Sequence, residues 1–285
     1  MGTSQSSNGP LGGVPMVPPW VPDPPDGEPP DAPPPPVDGQ KPDDPGDIPP
    51  APAPSPPVPP APAGRFGATR LNLGNFARTG DVGSMRRGVG HYVRKGYGGA
   101  GTAVRRSGGT AATAGALYGA LTGVAAGRAG PPGSLLDPAL LAGRSAQEVM
   151  NAVVEAVRPV DGTQDAEAGR SAIRDALSEL LTRFPEADLL NLSDDQRSFA
   201  VERYVAFDVF RRFDLDVGKA IRDKTPSATT ALSRLKQIRD YVKETVVAAF
   251  RKLRDASRAI TSGRVERVVR DALRDTYEVF EGYAE

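Results

Sequence analysis

The stretch SAQEVMNAVVEAVRP, residues 145–159, carries the signals of one complete helix. Ser145 and Glu148 have the spacing of a capping box, in which each side chain accepts a hydrogen bond from the backbone N–H group of the other. The apolar side chains behind this cap recur at helical spacing and are Val149, Val153, Ala156 and Val157. Pro159 then ends the helix, because the residue before a proline disfavours helical backbone angles. The stretch therefore predicts an amphipathic helix with one buried face.

Two further helices are predicted by the same kind of pattern. Pro185 ends an apolar stripe that consists of Ile173, Leu177, Leu180, Leu181 and Phe184. Ser193 and Gln196 form a second capping box. The stripe behind that box is aromatic and consists of Phe199, Tyr204, Phe207, Phe210 and Phe213.

The end of the chain predicts an antiparallel helical hairpin. Thr225 followed by Pro226 is a favoured N-cap and first-turn pair. It predicts the start of a long helix whose apolar side holds Leu235, Ile238, Val242, Ala249 and Leu253. After Ser262 and Gly263, a last stripe follows with Val265, Val268, Val269, Ala272, Leu273 and Phe280. No alternating pattern typical of a strand occurs in the sequence, so the predicted fold is all-α.

Prolines divide the chain of 285 residues into a tail and a body. Residues 1–62 hold 24 of the 30 prolines and only seven Leu, Ile, Val or Phe residues. Such a segment buries too little apolar surface to offset the entropy of ordering, so we expect a disordered, proline-rich tail. The composition then divides the body into a glycine-rich basic segment, residues 63–128, and a helical domain, residues 129–285, which contains the hairpin.

The formal net charge of zero hides three zones of different charge. The tail carries eight acidic residues and one base, Lys41, a net charge of −7. Residues 63–128 carry nine arginines, Lys95 and one acid, Asp81, a net charge of +9, and the remainder carries −2. The acidic tail can fold back on the basic segment, or both can stay solvated, and the two arrangements stay open.

A short helix is predicted in the glycine-rich segment, with Asp81 as its N-cap. Its apolar stripe consists of Val82, Met85, Val89, Tyr92 and Val93. The next stretch, GYGGAGTAVRRSGGT at residues 96–110, looks superficially like a phosphate-binding loop. It lacks the Gly-Lys-Ser/Thr ending of such a loop, and no strand-like run precedes it. We therefore interpret its glycines as turns and close-packing sites.

Four glycines recur every four residues further on: Gly115, Gly119, Gly123 and Gly127. On a helix they form one smooth ridge, and we expect that ridge to make a close helix contact in the core. Gly119→Leu or Gly123→Leu would then overpack the contact. In lipid such a ridge promotes helix association, so a membrane-associated effector that uses residues 115–127 is one alternative. A membrane span is not expected, because it needs ~20 predominantly apolar residues.

A second alternative is a nucleic-acid-binding module formed by residues 65–106. Basic and aromatic residues are interleaved in this range, as is typical of nucleic-acid contacts: Arg86, Arg87, Tyr92, Tyr97, Arg105 and Arg106. A solvated basic face, or one that meets the acidic tail, accounts for the same residues and is the interpretation that we favour.

Few side chains in the sequence suit catalysis or metal binding. The absence of cysteine excludes disulfides, thiol nucleophiles and zinc–thiolate sites. The single histidine, His91, excludes a centre with several histidine ligands, and we interpret it as a structural or surface residue. We expect no catalytic residue, no metal, no cofactor and no enzyme activity.

Three carboxylates lie in patterns that are found at functional sites. Asp208 lies among aromatic residues, which favours a raised pKa, but Arg212 four residues later offers an ordinary ion pair. Asp214, Asp216 and Gly218 resemble a fragment of a calcium loop. Their spacing is wrong and the terminal glutamate is missing, so we interpret them as a helix terminus.

The N-terminus, MGTSQSSNGP, predicts an exposed glycine amine on a long tether. Gly2 is small enough for Met1 to be removed. The segment also matches a myristoylation pattern, but this short match arises often by chance, and we discount the lipid. Trp20, the only tryptophan, lies among prolines, where it can anchor a linear motif in a partner's groove or simply be solvated. No secretory signal is recognisable, so we expect a cytoplasmic protein.

Several stretches together resemble one family. They are MGTSQSSNGP and GGVPMVPPW in the tail, and GRFGATR, GNFARTG and GVGHYVRKGYGGAGTAVRRSGGTAATAGALYGAL in the basic segment. This combination resembles the QatB family, a component of the bacterial Qat anti-phage system. The resemblance is specific over residues 1–20 and about 65–126, whereas over 129–285 it is only one of general helical character.

The resemblance implies a non-enzymatic role in defence beside three partners: a QueC-like enzyme, an ATPase and a TatD-like nuclease. It further implies that the QueC-like enzyme attaches a deazaguanine-type group to Gly2. The residues expected to contact that enzyme are Thr3, Ser4, Gln5, Ser6, Ser7 and Trp20.

Overall fold

The structure of the protein, a computed structural model, describes residues 64–128, 130, 133–256, 258, 260–261 and 263–284. These residues belong to one compact unit. The tail, residues 1–62, lies outside the described residues, and its predicted disorder stays a prediction.

Within this part of the chain, α-helices and two short π-helical turns make up the fold. In chain order they are α1 (Gly67–Thr79), α2 (Val82–His91), π1 (Tyr92–Tyr97), α3 (Ala100–Arg106), α4 (Gly108–Ala125), α5 (Pro138–Leu141), α6 (Ala146–Val157), α7 (Gln164–Arg183), α8 (Asp194–Phe213), π2 (Asp214–Gly218), α9 (Lys219–Arg222), α10 (Ala228–Asp255) and α11 (Val265–Glu281). No strand occurs among the described residues, and the all-α prediction is confirmed.

Local sequence signals set most helix starts. Both predicted capping boxes are present, at Ser145 with Glu148 for α6 and at Ser193 with Gln196 for α8. Asp81 caps α2 by accepting hydrogen bonds from two backbone N–H groups of the first turn. These caps satisfy donors that a helix leaves unpaired at its N-terminus.

The predicted start of α10 is wrong by two residues. Its N-cap is Ser227, whose side chain accepts a hydrogen bond from the backbone N–H of Thr230 at 3.1 Å. The Thr225 hydroxyl instead donates to the carbonyl of Arg222, 3.1 Å away, at the end of α9. Thr225 and Ser227 are both favoured N-cap residues. Thr225 contacts the end of α9, and Ser227 caps α10.

The helices of the C-terminal half pack in antiparallel pairs around one core. Arg211 of α8 pairs with Asp175 of α7, and Arg203 pairs with Glu179, so that sequence numbers rise on one helix as they fall on the other. The predicted hairpin is present as well, because Lys252 of α10 pairs with Asp275 of α11. The largest fully buried side chains of the shared core are Phe76, Tyr204, Phe213, Phe250 and Phe280.

The N-terminal helices pack through glycines. A Cβ on Gly88 would lie 2.7 Å from the Leu73 side chain, and one on Gly90 would lie 2.6 Å from the backbone nitrogen of Ala284. These distances are shorter than any normal contact. Helix α2 therefore approaches α1 and the C-terminal end of the chain closely because these two positions lack a side chain.

The predicted close contact of the glycine ridge is wrong at its exposed positions. Gly119 is exposed and a Cβ there would have no neighbour within 4 Å, so Gly119→Leu does not overpack a helix contact. The core-facing residues of α4 are Thr110, Ala111, Ala114, Leu117, Tyr118, Leu121 and Val124. Burying these larger apolar groups contributes more free energy than burying glycine, so the leucine side faces inward.

One member of the apolar stripe predicted for residues 82–93 is exposed; the stripe extends from α2 into π1. Met85, Val89, Tyr92 and Val93 are buried, whereas Val82 is 47% exposed. Val82 is the first residue of the helix and directly follows the exposed cap residue Asp81.

In the part of the chain that the structure describes, no helix has the length and apolarity that a membrane crossing requires.

Candidate functional site

The residues predicted to carry the function lie outside the described residues. They are Gly2, Thr3, Ser4, Gln5, Ser6, Ser7 and Trp20. What the structure describes is the body to which this segment is attached, together with the polar clusters and surfaces of that body.

An aromatic cluster holds the first residues of the body. The Phe66 ring is 5% exposed and stacks nearly parallel on Tyr92, with ring centroids 5.5 Å apart. The Phe66 and Tyr97 rings form a T-shaped pair with centroids 6.3 Å apart, and Gly96 lies directly against the Phe66 ring because it has no side chain. The Arg65 guanidinium lies 4.5 Å above the same ring. The chain therefore enters the fold at a well-packed position.

Two tyrosines of this cluster share one carboxylate. The hydroxyls of Tyr92 and Tyr97 lie 2.9 Å and 3.1 Å from Asp216 Oδ2 and donate to it. Burial raises the pKa of both tyrosines above their usual value, so both hydroxyls keep the proton that they donate. This interaction connects the two π-helical turns, π1 and π2, which are distant in sequence.

The carboxylates that resemble part of a calcium loop already have protein partners. Asp216 accepts from the two tyrosines, and Asp214 accepts from Arg222 at 2.6 and 2.7 Å. Helix α8 ends at Phe213 and the π2 turn follows, in agreement with the helix-terminus interpretation. No group of three or more potential metal-ligating side chains occurs within the described ranges.

Asp208 is the most deeply buried carboxylate of this region, at 1% exposure. Its Oδ2 atom accepts hydrogen bonds from Arg212 Nε at 2.9 Å and from the Thr110 hydroxyl at 2.6 Å. The predicted ion pair with Arg212 is confirmed. The contact with Thr110 was not predicted, because it lies 98 residues away in sequence and no local pattern indicates it.

His91 ends α2 and is only partly accessible. Burial lowers its pKa, and the positive charges of Lys95, Arg94 and Arg87 lower it further. The Nδ1 atom is buried and has no hydrogen-bond partner among the described residues. A catalytic histidine is normally oriented by a carboxylate or similar group, so this setting favours the structural interpretation.

Six exposed cations lie on α2, π1 and α3, and we call this set the basic face: Arg86, Arg87, Arg94, Lys95, Arg105 and Arg106. Among the described residues, only Arg87 of this set has a carboxylate within 4 Å, Asp81 at 3.6 Å. The two tyrosines expected to interleave with these cations face inward instead. Tyr92 is 3% exposed, and the Tyr97 hydroxyl is bonded to Asp216.

A separate cleft of about 430 Å³ lies beside the start of α8. Its lining residues are Tyr118, Asp194, Asp195, Ser198, Phe250, Arg254, Arg258, Ile260, Thr261 and Val268. The two arginines are already engaged, Arg254 with Glu202 at 2.7 Å and Arg258 with Asp271. The cleft therefore offers few uncommitted charges to a ligand.

Comparison with known families identifies the body. Residues 98–280, almost two thirds of the chain, match the family model of the Qat anti-phage system associated protein QatB. The chain belongs to the QatB family. It is therefore a component of an anti-phage defence system. No curated protein and no solved structure matches it significantly.

The QatB match overlaps the specific part of the sequence resemblance only over residues 98–126. It begins just after π1 and continues through most of α11, so it includes Asp208, Asp216 and the cleft. The tail lies outside the match. Of the basic face, Arg105 and Arg106 fall within the QatB match and the other four cations precede it.

Proposed function

We propose that this QatB-family chain acts without catalysis of its own, as a protein substrate whose N-terminal Gly2 is modified by a QueC-like enzyme of the Qat system. The observation that carries the proposal is the family match over residues 98–280, which places the chain in an anti-phage system. The modified segment itself lies in the tail, and the chemistry of its residues supports its role.

The α-amine of Gly2 is a better nucleophile near neutral pH than any lysine. An α-amine has a reference pKa of about 7.7–8.0, against about 10.4 for lysine, so a much larger fraction is uncharged. ATP would activate the carboxylate of a deazaguanine-type base. The amine nitrogen then attacks the carboxyl carbon, an amide bond forms, the activating group leaves with one carboxylate oxygen, and the amine loses a proton.

The sequence next to Gly2 suits entry into a narrow enzyme channel. Residues 3–7 are small or polar, and Gly2 adds the least bulk beside the amine. The proline-rich sequence favours an extended chain, whose upper limit is roughly 190 Å for 62 residues at ~3.1 Å per residue. Phe66 fixes the other end of this tether in the aromatic cluster of the body. The tip can therefore reach an enzyme that does not contact the body.

Partner binding completes the proposal. We propose that Thr3, Ser4, Gln5, Ser6, Ser7 and Trp20 contact the QueC-like enzyme, and that the ATPase and the TatD-like nuclease of the system act beside it in the cytoplasm. The setting of His91, surrounded by positive charge and without an orienting partner among the described residues, supports the view that the body does not catalyse a reaction.

Intact mass spectrometry of the full chain, expressed with and without the QueC-like enzyme, tests the modification. We expect an added mass only with the enzyme, and peptide mapping should place it on Gly2. Gly2→Glu, which also retains Met1, should abolish both the added mass and the protection against phage.

Gly9→Glu is the matched control, because it makes the same substitution in the tail away from the amine. It should keep the added mass. An adduct on Lys41 or on a lysine of the body, or an unmodified Gly2 in complexes that protect cells, would contradict the proposal.

A further inference from the structure

The basic face lies in the part of the body where cations far outnumber acidic residues. Residues 64–128 contain ten cations and a single acid. In the helices that follow, exposed cations commonly pair with carboxylates, as in Lys236 with Asp240 at 2.8 Å and Lys252 with Asp275 at 2.8 Å. Within the described residues, the basic face has only the 3.6 Å contact between Arg87 and Asp81. A face of this kind has a positive potential that attracts polyanions.

Four of the six cations are arranged along one continuous helical rod, and Arg105 and Arg106 lie on α3. Helix α2 runs directly into π1, so Arg87, Arg94 and Lys95 lie within two to three turns of each other, a length of about 12 Å at ~1.5 Å per residue. All three act electrostatically on His91, which lies between them in sequence. Duplex DNA presents one negative charge per ~1.7 Å of axis, so such a rod can meet several phosphates at once.

Two other cations of the face are held in place by aromatic rings. The Arg86 guanidinium lies 5.4 Å from the centroid of Tyr283, and that of Arg106 lies 5.6 Å from the centroid of Tyr97. A guanidinium that stacks on a ring still presents donors at its edge. The neighbouring rings therefore orient the groups that would contact phosphate oxygens.

The inward position of the two tyrosines favours duplex over single-stranded nucleic acid. Single-strand binding relies on exposed aromatic side chains on which bases stack. Tyr92 is buried and Tyr97 bonds Asp216, so neither is free to stack on a base. Contacts from the basic face would be to phosphates, which carry no sequence information.

We infer that the basic face binds duplex nucleic acid through its phosphate backbone, without sequence preference. The inference is independent of the N-terminal modification, because it concerns residues 86–106 and its test leaves the tail unchanged.

Fluorescence anisotropy with the full chain and a short random-sequence DNA duplex tests this, between about 50 and about 200 mM salt. Binding should weaken with salt, because the protein releases counterions when its cations neutralise phosphates. The combined variant Arg87→Gln, Arg94→Gln, Lys95→Gln and Arg105→Gln should lower the affinity at least about tenfold. It should also make the slope of the logarithm of affinity against the logarithm of salt concentration shallower by roughly 3 to 4. Each phosphate that the variant no longer neutralises contributes ~0.9 to this change.

The matched control neutralises four exposed arginines elsewhere: Arg251, Arg264, Arg267 and Arg274. These four also have no carboxylate within 4 Å among the described residues, but each has an acidic residue within four positions in the sequence. The control changes the net charge equally and should keep the affinity within about twofold. Circular dichroism should show the same helix content for both variants.

Three outcomes would overturn the inference. They are no duplex binding by the unaltered chain at low salt, an equal loss of affinity in the control variant, and equal competition by polyglutamate of matched charge. The last result would show that the face recognises any polyanion, such as an acidic protein segment, rather than a duplex.

Discussion

The N-terminal segment, residues 64–106, and the four long helices α7, α8, α10 and α11 pack in different ways. In the first, the backbone comes close to its neighbours because glycine is present, as at Gly88 and Gly90. In the second, large side chains fill the space, and Tyr204, Phe213, Phe250 and Phe280 are all fully buried. Ion pairs connect the long helices to each other and are scarce in the N-terminal segment of the described chain.

This difference shows that two kinds of helix can share one core. A glycine inside a helix costs roughly 0.5–1 kcal/mol relative to alanine, so the glycine-rich helices depend on tertiary contacts for their stability. The long helices carry their own signals, such as the capping box of α8 and the serine cap of α10. We therefore expect the stability of the N-terminal segment to depend on its tertiary contacts, and that of the long helices to depend also on their local caps.

The largest effect is expected where the long helix α8 contacts α4, the helix that follows the N-terminal segment. Asp208 of α8 is buried between Thr110 of α4 and Arg212. Asp208→Ala would leave the guanidinium without its buried partner, which typically costs about 3–5 kcal/mol. Chemical denaturation should show a loss of that order in the free energy of unfolding.

Asp165→Ala is the control for Asp208, because it removes a second carboxylate from the same arginine. Asp165 lies 3.8 Å from Arg212 and is 58% exposed, so its loss should cost less than about 1 kcal/mol. Equal effects of the two substitutions would mean that the contact of Asp208 between α8 and α4 is as weak as a surface ion pair.

Changes in stability of intermediate size are expected at two helical glycines, and the two changes should have opposite signs. A Cβ on Gly90 would lie 2.6 Å and 2.7 Å from backbone atoms of Ala284 and Tyr283, so Gly90→Ala should destabilise the protein by roughly 1–3 kcal/mol. Gly119→Ala adds a methyl group into open space and should stabilise α4 by up to about 1 kcal/mol.

Thermal unfolding measures both glycine variants. Helix propensity alone predicts that both alanine substitutions stabilise the protein. A destabilising effect of Gly90→Ala would therefore come from its tertiary contact. If Gly90→Ala raised the melting temperature, the packing of α2 against the C-terminal end of the chain would not depend on glycine.

The smallest effect concerns the start of α10. Ser227→Ala removes the hydrogen bond to the backbone N–H of Thr230 and should cost about 1 kcal/mol. Thr225→Ala removes only an exposed hydrogen bond to the Arg222 carbonyl and should cost clearly less. A larger loss at Thr225 in a denaturation experiment would restore it as the cap.

Much of the fold followed from the sequence. Capping boxes, proline stops and apolar periodicity act within a few residues of each other, and they predicted α6, α7, α8 and the α10–α11 hairpin. The family was also recognised from the sequence, although the family match covers residues 98–280, where only helical character supported most of the resemblance. The proposed modification site, Gly2, rests on sequence alone.

The tertiary structure decided which side of a helix faces the core where the sequence pattern allowed more than one. The glycines of α4 form a ridge on any helix, but the larger apolar side chains on its other side face the core because their burial contributes more free energy. Tyr92 and Asp216 are 124 residues apart and meet only because π1 and π2 pack together. Local patterns cannot encode such contacts, since each depends on where the rest of the chain places its neighbour.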